Sequence, residues 1–323
     1  MKAILYITLG VLFLTPLLPL PSAHAHQQSS PHVVCTNAIL ADFTSQLLNG
    51  THSTIDHIMP AGACPSHFDT RPSDVQRIAS ADIIVSLGWE PWLQDLLDAS
   101  GASAALITCA GLGEWNLPEG ARSYVSTLAG QLSAVFPDHR DLIRENAASY
   151  LHRINHTAAH LQELMASHGF TGAKVVCMEW QQAFASWLGL NVTASYGPPE
   201  SLSTGAMLNI SRAASAPGVC AVIDNLQSGT SFGASVAADA RISHVVVTNF
   251  PGAIPGTETY LQMLAYNTDQ IVAGLSAHAY KQGDISELEG RISSLTLQRD
   301  VMLTLTLICA GLALAFFVLY RRK

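Results

Sequence analysis

Residues 138–168 read DHRDLIRENAASYLHRINHTAAHLQELMASH, and this stretch decides the fold. Leu142, Ala148, Leu151, Ile154, Ala158, Leu161 and Met165 recur at spacings of three, four or six, which places them along one side of a helix. Pro137-Asp138 opens the run and His168-Gly169 closes it. Strand–helix units lie on both sides of it, and no Gly/Ser linker is present. It predicts a stiff bridge between two folded halves.

Outward on both sides, short apolar runs alternate with helical stretches. The runs are 32–35, 83–85 and 105–107 before the bridge, and 174–177, 220–223 and 244–247 after it. Residues 37–48 and 73–79 are examples of the helical stretches between them. Buried strands alternating with helices predict an α/β architecture with parallel sheets. The expected fold is two α/β lobes, each with a central parallel sheet, joined by one long rigid helix. Ligands of such sheets sit at the carboxyl ends of the strands. That rule singles out Cys35, Thr36, Cys177, Met178, Glu179, Asp224, Asn225 and Asn249.

The ends read differently. Met1-Lys2, an apolar run from Ile4 to Leu20 and Ala23-His24-Ala25 form a signal-peptide pattern, cut after Ala25. Residues 301–320 carry no charge and stop at Arg321-Arg322-Lys323. Roughly 20 apolar residues at about 1.5 Å each span a bilayer core of about 30 Å, and the basic stop is expected on the cytoplasmic side. Ile285, Leu288, Ile292, Leu295 and Leu297 form an apolar stripe leading into this segment. The expected organisation is a signal peptide (1–25), an N-terminal lobe (32–136), the linking helix (137–168), a C-terminal lobe (172–280), an amphipathic stalk (284–300), a transmembrane helix (301–320) and a cytoplasmic tail (321–323). The bulk of the chain is thereby expected outside the cytoplasmic membrane, on a single-pass C-terminal anchor. The chain holds 16 Lys+Arg and 24 Asp+Glu. With Lys2, Arg321, Arg322 and Lys323 in the terminal segments, the remainder is acidic, which argues against nucleic acid as a partner.

The segment richest in chemistry is 62–74, GACPSHFDTRPSD. It sets Cys64, His67 and Asp69, all metal-ligand types, in a proline-bounded loop before a helix. The bland alternative is an ordered turn, with Asp69 capping locally and Cys64 in a disulfide, for which Cys35 is the candidate partner. His152, His156 and His160 recur every four residues on the bridge helix and read as solvated.

This loop resembles that of the metal-binding (cluster A-I) solute-binding proteins of zinc, manganese and iron ABC transporters. The likeness extends, in order, over residues 34–42, 79–93 (ASADIIVSLGWEPWL) and 260–267 (YLQMLAYN), and covers about residues 32 to 275. It implies two lobes on a backbone helix, no enzymatic activity, a divalent transition metal (zinc, manganese or iron) as cargo, and an ABC permease with its ATPase as partners. The family's three histidines and one acid are not found in register here. Ser66 precedes His67 at the first position, Gly113 stands at the second, Met178-Glu179 at the third and Asn249 at the acidic one. Two readings stay open. Either the site is rebuilt from His67, Glu179, Cys64 and Asp224, lined by Cys35, Trp115, Asn225 and Asn249, or the cargo is a small metal-containing or organic solute held against Trp89, Trp92, Trp115 and Trp180. The runner-up function is a membrane-anchored adhesion or assembly protein that kept the fold and lost the site.

Overall fold

The computed structural model describes residues 30–111 and 114–322. The expected signal peptide and Gly113 lie outside the described residues. Two four-stranded parallel sheets organise the chain. The first contains β1 (His32–Cys35), β2 (Thr54–His57), β3 (Ile83–Ser86) and β4 (Ala105–Thr108) in the order β2-β1-β3-β4. The second contains β5 (Lys174–Met178), β6 (Asn191–Tyr196), β7 (Val219–Asn225) and β8 (Ser243–Val247) in the order β6-β5-β7-β8. The six apolar runs of the sequence are the inner strands and one edge of each sheet. The other edges, β2 and β6, carry few consecutive apolar residues (TIDH and NVTASY) and gave no strand signal.

Helices α1 (Ala38–Leu47), α2 (Pro72–Ala79) and α3 (Leu93–Ser100) belong to the first lobe, and α6 (Glu179–Trp187), α7 (Thr204–Ala214) and α8 (Ser231–Ala240) to the second. Local chemistry sets their starts. Asn37 caps α1 by accepting from Ile39 N and Leu40 N, and Pro72 occupies the first turn of α2.

Between the lobes lie α4 (Pro118–Val135) and the bridge α5 (Arg140–Ser167), which begins after a short 3₁₀ turn at Pro137–His139. The buried face of α5 is Ile143, Ala147, Tyr150, Ile154, Leu161 and Met165. Its N-terminal half is therefore rotated from the expected stripe: Leu142 and Leu151 are only partly buried and Ala148 is exposed. The cause is Tyr150, whose hydroxyl reaches the buried Asp42 carboxylate at 3.0 Å and draws its face of the helix inward.

The same carboxylate accepts from Tyr260 N at 2.9 Å. Asp42 thus pins α1, α5 and the start of α9 (Tyr260–Arg321) to one another. Thr259 and Gln262 form a capping box at that start. Tyr260, Met263, Leu264, Ile271 and Leu275 are buried. One continuous hydrophobic core contains residues of both sheets together with α1, α4, α5 and α9. A core shared in this way resists large lobe rotation, because packed interiors do not deform continuously. Beyond Tyr280 the helix continues without a break through the expected stalk, and it contains one stretch long and apolar enough to cross a membrane, by length and composition.

Candidate functional site: an amide-floored cleft between the lobes

A cleft of about 730 Å³ opens between the lobes. Its walls follow the carboxyl ends of the strands, as the topology requires. Cys64 to His67 come after β2, Trp89 after β3, and Glu114 to Asn116 between β4 and α4. The second lobe supplies Trp180 after β5, Pro198 and Glu200 after β6, Gln227 and Ser228 after β7, and Asn249 and Phe250 after β8.

Asn249 is the centre of the floor. Its side-chain oxygen accepts from Asn116 Nδ2 at 3.1 Å and Gln181 Nε2 at 2.5 Å. Its backbone N–H donates to Gln227 Oε1 at 3.0 Å, and its carbonyl accepts from the Trp115 indole at 2.9 Å. Gln227 Nε2 donates in turn to Ala61 O at 2.8 Å and Thr248 Oγ1 at 2.9 Å. Three of these bonds, Trp115 to Asn249, Asn116 to Asn249 and Gln227 to Ala61, cross from one lobe to the other. The floor is a network of neutral amides, and the oxygen at its centre is occupied by two N–H donors.

The loop carrying Trp89 is held by Glu90. This buried carboxylate accepts from the backbone N–H groups of Leu87 at 2.8 Å, Gly88 at 2.9 Å and Trp89 at 3.1 Å, and from the Thr36 hydroxyl. Gly88 sits at φ +84°, a conformation side chains disfavour, so the tight wrap around Glu90 depends on glycine. Trp89 is left 50% exposed and Trp180, on the opposite lobe, 46%. At the rim, burial raises the Glu114 carboxyl above the ordinary carboxylate range.

The residues expected to ligate metal do not gather in one place. Cys64 and His67 both line the cleft, on one 3₁₀ turn whose His67 N donates to Cys64 O at 3.1 Å. Glu179 opens α6 and is exposed, its carboxylate facing Gly197 beside the cleft wall. Asp224 lies elsewhere, fully buried, accepting from the Tyr196 hydroxyl and 2.7 Å from His244 Nε2. Among the described residues no three His, Cys, Asp or Glu side chains are grouped to hold an ion. Of the expected cleft-lining residues, Trp115 and Asn249 do line it. Cys35 instead packs inside the first lobe against Thr44, its thiol pushed up to about 12 by burial. Asn225 turns inward to accept from Ser228 N at 2.8 Å. Cys35 and Cys64 are both free thiols. Trp92 belongs to the core, edge-on to Phe68 at 5.1 Å between centroids. His152, His156 and His160 are exposed on α5. Sequence reasoning overlooked Gln227, Glu200 and Phe250. The strand-end rule reaches Gln227, two residues past β7, but an amide there carries no metal signal.

Residues 33–274 match the family model ZnuA, zinc-uptake complex component A, periplasmic. The chain belongs to this family. Among curated relatives, the chain is 25% identical over 270 residues to the manganese-binding lipoprotein MntA of Halalkalibacterium halodurans, covering 76% of this chain and 88% of the relative. It is 26% identical over 148 residues to the manganese ABC transporter substrate-binding lipoprotein PsaA of Streptococcus pneumoniae, covering 38% of this chain and 47% of that one, so it matches about half the length of PsaA. The fold recurs in the Mn-bound periplasmic metal binding protein of Candidatus Liberibacter asiaticus, with a TM-score of 0.63 at 18% identity over 76% of this chain and 100% of the other. A crystal structure of ZnuA gives a TM-score of 0.65 at 16% identity, over 76% and 99% of the two chains. The likeness to these structures extends to the overall fold. The amide floor is a feature of this chain's own residues.

Proposed function

We propose that this chain is the extracytoplasmic solute receptor of an ABC importer. It takes a transition-metal cargo (zinc, manganese or iron, as an ion or in a small solute) between its lobes and hands it to a permease driven by an ATPase. The observation that carries the reading is the inter-lobe cleft itself, built at the strand ends of a ZnuA-family fold and reached by Cys64 and His67. The relatives named as manganese-binding and substrate-binding lipoproteins support the same role. The role is binding rather than turnover: a difference in affinity between lobe arrangements drives delivery. With the core shared between lobes, the expected movement is small.

The apolar segment of α9 supports a membrane tether, which would keep the receptor at a high effective concentration near its permease. Thermal unfolding of the full chain in detergent, with zinc, manganese, iron, nickel, cobalt and copper offered free and chelated, tests the reading. A rise in melting temperature with one of them, reduced by His67→Ala, is the expected result. No rise with any of them favours an adhesion or assembly role instead.

A further inference from the structure

We infer that the cleft takes its metal inside a small organic chelate, neutral or positively charged, rather than as a bare ion. The inference rests on the receptor reading and narrows its cargo.

The donor count comes first. A bare zinc ion in a closed site is held by about four protein donors at roughly 2.0–2.3 Å. Here the cleft is lined by four side chains of ligand type, Cys64 and His67 on one turn with Glu114 and Glu200 elsewhere on its walls, and among the described residues no three His, Cys, Asp or Glu are grouped to hold an ion. At the centre of the floor, the Asn249 oxygen already takes two amide donors. A chelator that fills the remaining coordination positions removes the need for further protein ligands.

Size and walls agree. The cleft's 730 Å³ lies inside the range of about 300–1,000 Å³ typical of small-molecule sites. Trp89 and Trp180 face it from opposite lobes, both about half exposed. A ligand seated between them would cover both indoles, and indole faces attract cations. Among the described residues of the lining the carboxylate side chains are Glu114 and Glu200, with no Lys or Arg. That balance disfavours anionic chelates.

One polar group points the same way. Asn116 Oδ1 is buried without a partner, in a residue only 6% exposed that lines the cleft. An unmet buried acceptor is costly, and an N–H or O–H of the chelator would satisfy it.

The test uses the purified full chain in detergent, with tryptophan fluorescence and calorimetry. The probes are nickel and zinc chlorides, their cationic 2,2′-bipyridine complexes, their neutral histidine complexes, the free chelators, and anionic ferric citrate. The expected result is binding of a neutral or cationic complex at least about tenfold tighter than of either ion or either free chelator, with indole quenching. Trp89→Ala and Trp180→Ala should each weaken it about tenfold without lowering the melting temperature. Bare ions binding as tightly as their complexes, with the tryptophan variants unaffected, would overturn the inference and leave the receptor reading standing. Preference for the anionic complex, or equal binding of free chelator, would also overturn it. Binding of no probe would overturn both.

Discussion

The Trp115 indole donates to the backbone carbonyl of Asn249 at 2.9 Å, across 134 residues of sequence and from one lobe to the other. This bond and the amide contacts around it place the floor of the cleft. Asn249 also gathers the Asn116 and Gln181 amides, so its replacement by leucine would strand two buried donors. At about 1–3 kcal/mol for each unsatisfied group, Asn249→Leu should cost roughly 2–6 kcal/mol of stability. Asn249→Asp, which still accepts both donors, should cost less than about 1 kcal/mol. Urea unfolding of the two variants checks the difference.

Glu90 gives a second test. It satisfies three successive backbone N–H groups and the Thr36 hydroxyl, and it shapes the loop that presents Trp89. Glu90→Ala should lose about 3 kcal/mol or more, because buried donors lose a charged acceptor. Amide hydrogen exchange at Leu87, Gly88 and Trp89 should accelerate with it. Unchanged exchange there would show that the loop is held by something else.

Gly233 packs where no side chain fits. A Cβ there would lie 2.0 Å from Asp224 Oδ2 and 2.6 Å from the Tyr196 hydroxyl. Gly233→Ala should therefore destabilise the second lobe by about 1–3 kcal/mol or more, by forcing apart the Asp224 cluster. Thermal unfolding reads it. A neutral effect would mean that Asp224 can move, and would reopen the question of its role.

Asp42 predicts a pH dependence. Burial raises its carboxyl above the ordinary range, with the bonds from Tyr260, Gln46 and Tyr150 offsetting only part of the penalty. The folded state thus holds this proton more tightly than the unfolded state. Its contribution to stability is full below the ordinary carboxylate pKa and is lost as pH rises through the raised value. Asp42→Asn should flatten that falling slope in a stability-against-pH series, measured by urea unfolding. A slope identical to the parent's would contradict this.

The parts legible in the sequence were those written as periodicity. The runs that became β1, β3, β5 and β7 are apolar because these inner strands are covered on both faces, those of β4 and β8 are apolar at sheet edges, and the bridge helix announced its length. The edge strands β2 and β6 stayed hidden because polar residues interrupt their apolar ones, as in TIDH and NVTASY. The face of α5 was misjudged because Tyr150 buries its hydroxyl on Asp42, a pairing 108 residues apart that no local pattern records. The cleft was legible through the strand-end rule. Its chemistry was less so: residue type made Asp224 look like a ligand, whereas three-dimensional packing spends it on Tyr196 and His244.

The central claim is that the space between Trp89 and Trp180 holds a metal. Anomalous diffraction at a metal edge, from crystals of the full chain grown with bare and chelated nickel or zinc, addresses it directly. The account predicts a single strong peak in the cleft, beside His67 and between the two indoles. Peaks confined to the exposed histidines of α5, His152, His156 and His160, with none in the cleft, would contradict it.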